Sequence, residues 1–143
     1  MPGTSSLSSQ FSIYIEQSAP VQTETLTTDP LPTGGNLLYA QVQILAKVNG
    51  AAPNTHTVDL YKVSGGVATR LQVPPSPYNF STSAAGASAY LLIDDAAGVS
   101  DFMAGDQLRI VTAGDATDTS QLRVVFFSEA EQGNAQSFVV TAT

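Results

Sequence analysis

Apolar residues along this chain recur at every second position, and no window of 11 residues carries the i, i+3, i+4, i+7 spacing of a helix. A strand points successive side chains to opposite faces, so such a chain builds half-buried strands. Phe11, Ile13 and Ile15 alternate with Ser12, Tyr14 and Glu16, and Val42 and Ile44 lie in a longer strand from Leu37 to Val48. Val58, Leu60 and Val63 mark the next, ending at Ser64-Gly65-Gly66, glycines that accept the positive φ of a tight hairpin. The return strand runs from Val67 to Val73 and stops at Pro74-Pro75, which cannot donate to a ladder. Further strands read at Ala89–Ile93, Gln107–Thr112, Gln121–Ser128 and Gln136–Ala142, with at most a helical turn around Gly98 to Met103. About eight short strands with turn signals between them predict an all-β fold, an antiparallel β-sandwich. Strand order stays open, a jelly roll among the choices.

The 143 residues suit one domain. Residues 1–9 are rich in Ser and Thr, with Leu7 the one anchor, and read as a flexible arm on a sandwich spanning 10–143. Residues 17–36, with Thr23, Thr25, Thr27, Thr28, Pro30, Pro32 and Gly34-Gly35, form a connector long for such a fold. It reads either as a loop lying across the sheet or as an extended arm that reaches a neighbouring subunit. Gly114-Asp115-Ala116-Thr117-Asp118-Thr119 joins Leu108–Val111 to Leu122–Val125, which read as a hairpin.

Without cysteine there is no disulfide, thiolate metal site or cysteine nucleophile. Only 12% of residues are charged, and neutral Ser, Thr and Gln supply the polarity instead. Five basic residues against 12 acidic ones give a net charge of −7, the wrong balance for binding nucleic acid. The start carries no basic, apolar leader, and the longest apolar run, Leu37 to Val48, is broken by Gln41, Gln43 and Lys47. These features predict a soluble protein made in a cytoplasm, with no membrane partner.

Chemistry-bearing constellations are few. His56 is the sole histidine, and Asp59 three residues on falls on the other side of a strand, so His56 reads as a turn or strand-edge residue. Gly86-Ala87-Ser88-Ala89-Tyr90 fails as a nucleophile elbow at its last position. The acids Asp94, Asp95, Asp101, Asp106, Asp115 and Asp118 match no EF-hand spacing and read as solvated turns, with calcium or a carboxylate pair as the sharper alternatives. Asn79-Phe80-Ser81 fits a glycosylation sequon by chance, and no Lys follows Gly as a phosphate loop requires. Tyr61, Tyr78 and Phe80 could form a small sugar-stacking platform or pack inward. All five basic residues fall in predicted strands. Arg109 and Arg123 are placed on the polar face of one hairpin, solvated or turned to a partner.

A small, Cys-free β chain rich in Ser, Thr, Ala and Gly resembles the decoration or cement proteins of tailed bacteriophages. The wording that carries the resemblance is Gly105-Asp106-Gln107-Leu108-Arg109-Ile110-Val111-Thr112, then a Gly/Asp/Thr turn and Leu122-Arg123-Val124-Val125-Phe126-Phe127. The resemblance implies a structural protein of the virion exterior, with neither catalysis nor cofactor. Such proteins clamp neighbouring major capsid subunits, as homotrimers or singly. It places inter-subunit contacts on the arm (Leu7, Phe11) and the connector (Leu26, Pro30, Leu31). The rival readings are a receptor-binding or fibre domain recognising host glycan or protein, a carbohydrate-processing module, and a tail-tube or head-completion protein. The absence of Trp and the single His weigh against the first two.

Overall fold

The computed structural model describes residues 10–73, 76–96, 98–115 and 117–130. Eleven strands are described: β1 (Gln10–Glu16), β2 (Glu24–Thr27), β3 (Gly35–Val48), β4 (His56–Ser64), β5 (Val67–Arg70), β6 (Gln72–Val73), β7 (Tyr78–Asn79), β8 (Ser88–Ile93), β9 (Asp101–Phe102), β10 (Gln107–Gly114) and β11 (Thr119–Ala130). They form two antiparallel sheets. Sheet A has the order β1-β11-β3-β8-β6, with β9 also on β3; sheet B has the order β2-β10-β4-β5, with β7 also on β4.

The predicted β-sandwich is therefore present, and its pairing specifies which kind. β4 pairs with β5 across Gly65-Gly66, both at positive φ, the two-residue hairpin that the sequence signalled. Outward from that turn the pairs nest: β3 with β8, β2 with β10, β1 with β11. This folded-back ribbon rolls up so that β11 meets β3 and β10 meets β4. The eight main strands, β1-β11-β3-β8 in sheet A and β2-β10-β4-β5 in sheet B, make a jelly roll, with the short β6, β7 and β9 added to it.

The inward residues of both sheets meet in one core, with Ile13, Ile15, Ala40, Val42, Leu60, Leu108, Ile110, Leu122 and Phe126 buried. Burying each of the larger side chains contributes roughly 1.5–3 kcal/mol. Gly35 starts β3 where the chain is pinched: a Cβ there would meet the Glu129 carbonyl and the Phe102 ring.

Three expectations change, and the connector takes a definite place. The return strand Val67–Val73 divides at Leu71, which is buried and crosses between the sheets. Its N–H donates to the Leu60 carbonyl, and its own carbonyl accepts from Asp94 N–H. The supposed hairpin of Leu108–Val111 and Leu122–Val125 is a crossover instead: β10 lies in sheet B and β11 in sheet A, both facing the same core. The connector 17–36 is sewn to the sandwich. β2 pairs with β10, Val21 bridges Ser120, and Leu31 is buried with its N–H on the Asp106 carbonyl. Finally, Gly98 to Met103 holds a turn and β9 rather than a helical turn. The arm 1–9 with Leu7, and the strand read at Gln136–Ala142, lie outside the described residues.

Candidate functional site

Alternation puts Phe11, Ile13 and Ile15 of β1 into the core, so Ser12, Tyr14 and Glu16 face outward. The register carries that outward set across sheet A. One row is Ser12, Phe127, Tyr39, Leu92 and Val73; the next is Tyr14, Val125, Gln41 and Tyr90. Tyr39 stacks on Phe127 (centroids 4.6 Å apart, planes at 20°) and meets Tyr90 edge-on at 5.6 Å. Tyr14, Val73, Tyr90 and Leu92 remain 41%, 46%, 65% and 68% exposed. An apolar band therefore crosses β1, β11, β3, β8 and β6 on the side away from the core.

The band is neutral. Its nine residues carry no charge, and the adjoining row closes on itself. Arg123 Nε donates to Glu16 Oε1 at 2.5 Å, Arg123 Nη1 to Gln43 Oε1 at 3.2 Å, and Gln43 Nε2 to Gln41 Oε1 at 2.9 Å. The opposite charges of Arg123 and Glu16 thus meet on the same face, which lowers the cost of covering them.

A hollow opens at one side of the same face. The β3–β11 register shifts between Phe127 and Ser128, so Leu38 is an extra residue, a bulge that bends the strand. Beside it a cavity of about 340 Å³ is lined by Gln10, Ser12, Leu38, Tyr39 and Phe127, among others.

The outer face of sheet B differs in kind. Across it run Thr27, Arg109, Tyr61 and Arg70, next to Thr25, Val111 and Asp59. Arg70 grips Asp59 through Nε (2.9 Å) and Nη2 (3.1 Å) and also donates to Tyr61 Oη at 3.2 Å. Arg109 Nε donates to Thr27 Oγ1 at 3.0 Å.

A buried polar cluster closes one end of the sandwich. Asp118 accepts from Gly50 N–H (2.6 Å), Asn54 Nδ2 (2.7 Å) and Thr55 N–H (2.8 Å), fastening the 49–55 segment to the β10–β11 crossing. His56, fully buried, donates from Nε2 to Asn49 Oδ1 at 2.8 Å and lies 4.0 Å from Asp118. Its Nδ1 has no hydrogen-bond partner among the described residues. Burial pushes the His56 imidazole below its ordinary pKa, against the opposing pull of Asp118 and with help from Lys47. The Gly50 bond, with those of Asn54 and Thr55 and the nearby His56, holds the Asp118 carboxyl below the usual range. Ser81 Oγ accepts from the His56 backbone N–H, so it serves the strand end rather than the imidazole. The cluster anchors loops.

The predicted site residues scatter. Phe11 and Leu31 are buried in the core, with Phe11 also at the wall of the hollow; Leu26 packs partly against the core, and Pro30 is exposed. Arg109 and Arg123 occupy opposite outer faces because their strands belong to different sheets. Phe80 is buried with Tyr78 stacked on it, and Tyr61 lies under Arg70, so these three form no exposed platform. Asp118 and Asp106 are buried turn acceptors rather than solvated acids, and no group of three acidic or His ligands gathers among the described residues. The aromatic band itself was missed, although it left a trace. Tyr90-Leu91-Leu92-Ile93 and Val124-Val125-Phe126-Phe127 are apolar at both parities, the composition of strands covered on both faces.

No protein family and no curated protein matches this sequence. Among solved structures, the chain is similar to part of a chain in the structure of infectious bursal disease virus Gx strain. There the TM-score is 0.39 at 16% identity, over 92% of this chain and 32% of that one. For the Gt strain of the same virus the values are 0.35 and 14%, over 92% and 31%. The chain thus spans about a third of the length of those chains. Likeness at that level leaves function to the residues themselves.

Proposed function

We propose that this chain is a non-enzymatic structural protein of a bacteriophage virion, which binds the outer capsid surface as a homotrimer and cements neighbouring major capsid subunits. The observation that carries the reading is the contrast between the two outer faces of one jelly roll, an uncharged aromatic band on sheet A against a polar and charged surface on sheet B. A cement protein needs two unlike contact surfaces, one for its own trimer and one for the shell. Polar, hydrogen-bonding surfaces suit broad and wet interfaces. Many copies on one shell add an avidity that no single contact supplies. Jelly rolls serve in viral capsids and also in lectins. The reading needs no cofactor, and it leaves His56 and Asp118 as anchors of loops.

A second reading, a receptor-binding or fibre domain that recognises host glycan, is favoured by Tyr14 and Tyr90 exposed on the face that holds the hollow. One experiment separates the two. The purified chain is sedimented with expanded shells of the major capsid protein encoded in the same genome, and in parallel is applied to a glycan array. Saturable binding to shells, with greater resistance of the shells to heat, is expected. Glycan binding without shell binding would overturn the cement reading.

A further inference from the structure

We infer that the outer face of sheet A is the surface through which copies of this chain associate, each copy laying the Tyr90–Leu92 margin of β8 against the hollow beside Leu38 of the next. The inference deepens the homotrimer of the reading above by naming its interface. It also survives if the shell reading fails.

Four observations converge on a second copy as the occupant. The stretches Tyr90–Ile93 of β8 and Val124–Phe127 of β11 are apolar on both faces, yet among the described residues only the inner face is covered by the core. The band between the Glu16–Arg123 pair and Glu129 is uncharged on a chain of net charge −7. Two such copies can approach on this face without bringing like charges together, whereas a basic partner would be drawn to the acidic remainder. In the row beside the band, Arg123 and Glu16 pair their opposite charges with each other, so the row demands no complementary charge. Projection and recess also occur on one chain: Tyr90 and Leu92 protrude on β8, and the hollow of about 340 Å³ lies across the face beside β1 and β11. A projection fitting a recess elsewhere on an identical chain makes a head-to-tail contact, which closes into a ring when the rotation per step allows. Tyr39 and Phe127, already stacked, offer their rings to the neighbour at little further conformational cost.

The test is solution mass by light scattering across a dilution series, for the whole chain, Leu92→Glu, Tyr90→Glu and, on sheet B, Val111→Glu. The wild type and Val111→Glu are expected near three times 14.8 kDa, and the two sheet A variants near 14.8 kDa with unchanged urea midpoints. A wild type that is monomeric at every concentration overturns the inference. So do sheet A variants that fold and keep the wild-type mass. If either sheet A variant unfolds, the milder Tyr90→Ser, with the same expected loss of mass, decides. Shell sedimentation of the wild type reports separately on the cement reading: an oligomer that ignores shells sinks that reading and leaves this interface standing.

Discussion

Tyr39 stacks on Phe127 with ring centroids 4.6 Å apart, and the pair lies on the side of sheet A that faces away from the core. Stacked aromatics usually serve an interior. Here each ring sits directly opposite the other in the β3–β11 register, so the backbone holds the pair before any partner arrives.

Association through a neutral face is insensitive to salt, because screening acts on charges. Raising sodium chloride from 0.05 M to about 1 M should therefore leave the oligomer mass unchanged or slightly increased. Dissociation in salt would instead assign the contact to charged groups such as Arg109 on sheet B.

Leu71 is where the chain leaves sheet B for sheet A, and its side chain is fully buried. Leu71→Ala should cost about 2–5 kcal/mol, from lost burial and a cavity at the corner. Urea unfolding measures it. A cost near zero would mean that the corner does not depend on this side chain.

Gly35→Ala places a methyl group against the Glu129 carbonyl and the Phe102 ring. Pushing β3 off β11 there should cost about 1–3 kcal/mol. Gly66→Ala places its methyl in open space but at positive φ, so any cost there is backbone strain rather than a clash. Chemical unfolding of both variants separates crowding from strain.

His56 and Asp118 set the acid limit of the fold. The folded pKa of His56 lies below its ordinary 6.5, so the unfolded chain binds the extra proton first and stability falls as pH drops below that value. The folded pKa of Asp118 is also lowered, so its contribution is present above the ordinary carboxylate range and is lost as pH falls through the folded value. Both effects act in the same direction. The urea midpoint should decline from pH 7.5 to 5.5, and His56→Gln should flatten that first stretch while leaving the loss at lower pH. A midpoint independent of pH across that window would contradict the buried neutral imidazole.

The longer strands were legible in the sequence because alternation records which side chains face a core, as Phe11, Ile13 and Ile15 do for β1 and Leu108 and Ile110 for β10; the short β2, β7 and β9 were not. Partnership was not. Period two is the same whether neighbours in sequence pair with each other or cross to opposite sheets, so Arg109 and Arg123 were placed on one hairpin and lie on opposite faces. The crossing at Leu71 was hidden for a related reason, since one residue between two extended segments leaves no break in hydropathy. Gly65-Gly66 was readable, because positive φ is a requirement of local backbone. The candidate face was visible only as a fault in the pattern, at Tyr90-Leu91-Leu92-Ile93, where the outward positions are as apolar as the inward ones. Asp118 was least accessible of all: its partners Gly50, Asn54 and Thr55 come from a distant loop.

Electron cryo-microscopy of shells of the cognate major capsid protein saturated with this chain tests the proposed cementing role most directly. Jelly rolls are expected on the outer surface in threefold clusters, with sheet A turned toward the next copy and a different surface set on the shell. Bare shells, or single copies whose Tyr39, Tyr90 and Phe127 face open solvent, would contradict it.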